Sequence, residues 1–245
     1  MSEQKKDTMR AMYSKWQRLV TVTICAASFA AIPLLAPCSL ASDADLVPLP
    51  VTLPLPTLKG TPEDLPKGPM IEAPSEKPRE PFLAPKGTKN LALNKKVTAS
   101  DRKPVFGELS IITDGKKDAT DDDVIELRKG VQWVQIDLGE VCDIYAVLMW
   151  HDHRLLQIFK GVVVQAADDP DFIDNVTTLF NNDTENVTGL GIGTDRQYVE
   201  THQGKLIPVK NLKTRYLRFY TKGSNSTALN AYQEIEVYGI PSGKK

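Results

Sequence analysis

The stretch from Trp133 to Asp169 constrains the fold more than any other part of the chain. It reads WVQIDLGEV, then DIYAVLMWHDH, then GVVVQAADD. Each piece alternates or runs apolar for a strand's length and stops at Gly, Asp or Pro, which is the signature of strands in a half-buried sheet. Side chains alternate across a strand, so Trp133, Gln135 and Asp137 face one way while Val134, Ile136 and Leu138 face the other. The apolar set has to bury against a second layer.

The same rhythm recurs downstream. Strands are expected near Val134, Ala146 and Val163, at Thr177 to Phe180, at Tyr198 and Val199, at Arg215 to Thr221 and at Gln233 to Tyr238, with a first strand in LALNKKVTAS. Asp114-Gly115 marks a turn, and Lys116 to Lys129 reads as a charged loop with at most one helical turn. About eight short antiparallel strands with turns between them predict an all-β jelly-roll β-sandwich.

Upstream, the composition changes. Met1 to Arg18 is polar and basic, Leu19 to Ala36 is almost wholly apolar or small, and SLAS follows at Ser39 to Ser42. This is the layout of a signal peptide over residues 1–41, with cleavage after Ala41. Retention as a membrane anchor is the alternative, against which Pro33 and Pro37 count. Eleven of the 17 prolines lie between Pro48 and Pro85. Proline lacks a backbone donor and fixes φ, so residues 42–89 read as a disordered, extended linker holding the domain away from the N-terminus. The domain itself is expected over residues 90–240, with a tail at 241–245.

Charge excludes some partners. Of 30 Lys+Arg and 31 Asp+Glu, five and two lie in Met1 to Ala41, leaving 25 basic against 29 acidic residues. A mildly anionic surface has no built-in attraction to nucleic acid or acidic lipid. The glycines at 189, 191 and 193 lack the strand-to-helix context of a nucleotide fingerprint. Cys25 and Cys38 fall in the leader, so Cys142 stands alone in the domain and reads as a small buried apolar residue.

The order NLALNKKVTAS, ITDG, WVQIDLGEV, VVVQAADDPDF, TRYLRFYTKG and EIEVYG resembles the discoidin, or coagulation-factor C-type, family of galactose-binding-like sandwiches. The similarity runs from Asn90 to Gly239. It implies a structural calcium between the loop after the second strand and the last strand, with Asp114 and Glu234 as carboxylates and Asp118 and Thr120 as further oxygens. Calcium takes six to eight oxygen ligands, so loop carbonyls would complete the set. The family's terminal disulfide is missing here.

The resemblance also implies ligand binding on loops at one end of the sandwich. His151, His153 and Arg154 end the strand DIYAVLMW, and Asn230 and Tyr232 precede the last one. Planar His and Tyr rings stack on pyranose faces while Arg and Asn bond hydroxyls. The two histidines could instead hold zinc, which would need a third ligand. Neither a GxSxG elbow nor an HExxH motif occurs. The expected function is an exported, non-catalytic module that binds cell-surface or extracellular carbohydrate. The alternative is a protein–protein or adhesion module of the cell envelope; a hydrolase comes third.

Overall fold

The computed structural model describes residues 46–56, 65–73, 75 and 77–243, so the signal segment lies outside the described residues. Residues Ala41–Lys245 form one compact unit. In chain order the strands are β1 (Leu46–Pro48), β2 (Leu83–Pro85), β3 (Lys89–Asn90), β4 (Val97–Ala99), β5 (Ile125–Leu127) and β6 (Gln132–Trp150). They continue with β7 (Val163–Ala167), β8 (Thr177–Asn181), β9 (Lys205–Thr221), β10 (Asn230–Tyr232) and β11 (Glu234–Pro241).

Two long strands organise the sandwich. β6 and β9 pair antiparallel from Gln132 opposite Thr221 to Met149 opposite Lys205. The register shifts twice: between Asp137 and Cys142, where Gly139 adopts φ 89°, and between Ile144 and Ala146, opposite the stretch of β9 where Asn211 adopts φ 53°. Glycine and asparagine tolerate this left-handed backbone, and the extra residues bend both strands. Before the bend β6 pairs with β4; after it, β6 pairs with β11, which carries β3. The C-terminal half of β9 pairs with β7, and β7 with β8. One continuous antiparallel sheet thus folds over itself into a β-sandwich. A separate ribbon joins β5 to β10.

The alternation read in the sequence holds. Val134, Ile136 and Leu138 are buried in the central core, together with Ile144, Val147 and Met149 from the second half of β6 and Leu217 and Phe219 from β9. Each such side chain, fully buried, contributes about 1.5–3 kcal/mol. Cys142 is buried there too, and burial raises its thiol pKa. The expected strands near Val134 and Ala146 are one bent strand, and Arg215 to Thr221 is the second half of a longer one. Tyr198 lies outside any strand and packs in the core.

The proline-rich segment corrects the expectation of a disordered linker over residues 42–89, in the parts that are described. Leu49, Val51 and Phe82 pack on an outer apolar cluster of Ala146, Leu148, Trp150 and Tyr238. β1 and β2 form a two-stranded ribbon, with Leu49 N donating to Phe82 O at 2.9 Å. Arg79 donates to the carbonyls of Gly204 and Gln203, each at 3.0 Å. The apolar residues between the prolines drive this: an outer cluster as large as Trp150 and Tyr238 needs a cover, and proline is tolerated on an edge ribbon.

Replacing Phe82 with Ala should therefore lower stability by about 1–2 kcal/mol, less than the cost at a fully buried site because Phe82 is only half-buried. Thermal unfolding checks this. An unchanged melting temperature would show that the segment adds nothing to the domain.

Candidate functional site

The residues expected to hold a sugar lie mostly beneath the surface. His151 is fully buried, its ring stacked on Phe159 at 4.3 Å and its Nδ1 2.6 Å from Glu200 Oε1. Tyr232 is also fully buried and donates its hydroxyl to Phe219 O at 3.1 Å. Asn230 ties strand ends together: Nδ2 donates to Arg128 O and Gly130 O, and Oδ1 accepts from Gly223 N. His153 sits between Lys117 O at 2.8 Å and the buried Gln233. Arg154 is held by Asp152 and paired with Asp121. These side chains spend most of their hydrogen bonds inside the sandwich end, although His151 Nε2 and His153 Nδ1 have no protein partner. His151, His153, Asn230 and Tyr232 thus present no face to a ligand, which corrects their assignment as contact residues. The Tyr198 hydroxyl, beside this cluster, is pushed well up by burial and then by the Glu200 carboxylate.

The expected cation residues are only partly brought together. Glu234 is fully buried: Oε2 accepts from Gly115 N at 3.1 Å, while Oε1 has no protein partner. Burial pushes its pKa up to about 9, with the Gly115 amide opposing and the Glu236 charge adding. Asp114 is next to Gly115, and its Oδ1 accepts from Lys116 N. Asp118 uses its carbonyl to accept from Gln233 Nε2, and the Thr120 hydroxyl bonds Asp123. Lys117 is buried against Glu236 at 2.5 Å. Among the described residues, no three His, Cys, Asp or Glu converge as a ligand set, so the two-histidine zinc reading finds no third ligand.

A further opening lies on the end that holds the start of β7 and the ends of β8 and β9. It is a cleft of about 680 Å³ whose walls are the loops at Lys160-Gly161, Asn182 to Val187 and Lys222 to Ala228. Main-chain bonds continue the sheet into these loops: Lys222 N donates to Lys160 O at 2.8 Å, Lys160 N to Gly223 O at 2.9 Å, and Asn182 N to Val162 O at 3.0 Å. Gly161 adopts φ 58° with Val187 and Thr188 methyls 3.2 and 3.3 Å from where a Cβ would sit, so it closes the floor as no other residue could without strain.

Two polar residues at the cleft have contrasting states. The Asp183 carboxylate accepts from Val187 N, Thr188 N and the Thr188 hydroxyl. Burial would raise its pKa, but these bonds outweigh burial and hold it below the usual carboxylate range. Asn182 is fully buried; its Oδ1 accepts from Val162 N at 2.8 Å while its Nδ2 has no protein partner. The sequence signal for this cleft was present in the Asn-rich loop after β8, but nothing local distinguished it from a variable surface loop. Aromatic rings on the outer sheet face are already occupied: Arg218 lies 4.4 Å from the Trp133 centroid and 4.1 Å from that of Phe172.

No family model and no curated protein matches the chain. Among solved structures, it is similar to a Clostridium perfringens family 89 glycoside hydrolase in complex with 2-acetamido-1,2-dideoxynojirmycin, at 16% identity and TM-score 0.46. That match covers 64% of this chain and 15% of the hydrolase chain. It is also similar to chitosan-binding module 1 of a Paenibacillus sp. IK-5 chitosanase/glucanase, at 23% identity and TM-score 0.42, covering 62% of this chain and 99% of the module. A Streptococcus pneumoniae fucose-binding module matches at 17% identity and TM-score 0.43, over 61% of this chain and 97% of that one.

Proposed function

We propose that the chain is a non-catalytic carbohydrate-binding module and that sugar binds in the cleft between the Lys160, Asn182 and Lys222 loops. The observation that carries this reading is a cleft of about 680 Å³ with polar walls. Its size falls in the range of about 300–1,000 Å³ common for small-ligand sites. Asn225, Ser226 and Thr227 add short hydrogen-bonding side chains on one wall, the chemistry that hydroxyl-rich ligands need. Binding is favoured over hydrolysis because Asp183, the buried carboxylate of the cleft, is already committed to three donors and stays ionised. A general acid needs the opposite shift. The basic and apolar N-terminal run in the sequence supports action outside the cytoplasm.

We further propose one structural calcium held by Glu234 and Asp114. The fit rests on the orphaned, buried Glu234 Oε1. When bound, the ion would supply the positive charge that lets this carboxylate ionise in a buried place. Asp118 and Thr120 remain candidates for added oxygens.

Two outcomes test these readings. The Ser226→Trp protein, which fills the exposed cleft wall, should lose at least about tenfold in affinity on a glycan array at unchanged melting temperature, the equivalent of roughly 1.4 kcal/mol. Tyr232→Ala should instead lower stability by about 3–5 kcal/mol. A folded protein that binds no glycan would overturn the carbohydrate reading and leave a protein partner on the envelope as the alternative. For the cation, the sign follows from Glu234: its folded pKa is raised, so its own contribution to the stability of the metal-free protein is full below about pH 4.5 and is lost as pH rises towards about 9. Added calcium should raise the melting temperature by an increment that grows across that window and vanishes in Glu234→Gln. No increment at pH 8 would exclude the site.

A further inference from the structure

The charge around the cleft narrows the class of sugar. Lys160 and Lys222 both line the cleft and are exposed, and Lys222 N donates to Lys160 O, so the two lysines are carried side by side on one main-chain ladder. Among the described residues neither makes an ion pair, whereas Arg154 is matched by Asp152 and Asp121. Two carboxylates belong to the cleft. Asp183 is buried and consumed by its own turn, and Glu185 is exposed in the loop beyond it.

The buried amide points the same way. Asn182 is among the residues that line the cleft, and its oxygen is held by Val162 N. The donor Nδ2 is left buried and unpartnered. Leaving a buried donor unmade costs about 1–3 kcal/mol, so a ligand that accepts from it gains more than an ordinary surface hydrogen bond would give. Two cations and a buried N–H around one opening form a donor-rich site, and an anionic oxygen is the acceptor that uses all three best.

We propose that the cleft selects an acidic sugar, one carrying a carboxylate or sulfate group, seated between Lys160 and Lys222 with Asn182 Nδ2 donating to it. This rests on the carbohydrate reading and adds the substituent that the site recognises. Uronates and sulfated sugars share the chemistry, and the test separates them.

Titration calorimetry of the full chain would use an oligogalacturonate, its methyl ester and a sulfated oligosaccharide, with a neutral oligosaccharide of the same length as reference. Binding of either acidic probe at least about tenfold tighter than the ester or neutral one supports the proposal, and the probe that binds identifies the acid. Affinity should fall several-fold between low and about 0.3 M salt, as screening of exposed charges requires. Lys160→Met and Lys222→Met retain the aliphatic stems; each should cost about five- to tenfold more for the acid than for the neutral sugar, at unchanged melting temperature. Equal affinity for acid and ester, or lysine variants that bind the acid like the parent, would overturn the acidic selectivity while leaving a neutral-sugar site. No binding of any of the four probes would overturn both readings.

Discussion

The pairing of β6 with β9 is the constraint on which the rest of the molecule depends. Both strands are long enough to serve two layers; β6 bends at Gly139, and the register shifts again where Asn211 of β9 takes a left-handed backbone conformation. An Arg215 fork on Asp137 spans the two strands at the bend, with bonds of 2.7 and 2.9 Å. Because the same pair of strands runs through both layers, the core residues of one half fix the position of the other. The ends of β7, β8 and β9 are then brought together, and the cleft is what lies between the loops that leave them. A rigid scaffold with function on its loops is the common division of labour.

The interior of this fold was legible because burial leaves a periodic mark. Val134, Ile136 and Leu138 alternate with Trp133, Gln135 and Asp137, and that alternation alone puts the first set in the core. The bend was not legible as continuity: Gly139 reads as a strand end, since local sequence cannot show that Cys142 resumes pairing with the same partner. The ribbon of β5 and β10 was missed for a related reason, being three residues on each side and formed only by long-range pairing. Prolines in the N-terminal segment hid the few apolar residues that matter, Leu49, Val51 and Phe82, whose burial depends on Trp150 being exposed on the outer layer without them.

The site misled for a chemical reason. His, Asn and Tyr suit a sugar face, and they also suit the inside of a sandwich end, where strand termini leave donors and acceptors to be matched. His151 with Glu200 and Asn230 with the carbonyls of Arg128 and Gly130 do the second task. Removing one partner of a buried pair such as His151 and Glu200 would be costly, whereas replacing an exposed lysine would not. The cleft residues are the reverse case. Lys160, Lys222 and Ser226 look ordinary in the sequence because nothing about a solvent-facing lysine distinguishes a binding wall from any other surface.

The most direct test of the account is to map bound sugar onto the chain. Backbone amide chemical shifts of the ¹⁵N-labelled protein would be followed during titration with an acidic oligosaccharide. The account expects saturable shifts confined to the Lys160-Gly161 turn, the Asn182 to Thr188 turn and the Lys222 to Ala228 loop, with the Asn182 side-chain amide among the largest. Shifts centred on the proline-rich segment or the outer sheet face, or no shifts from a folded protein at millimolar sugar, would contradict it.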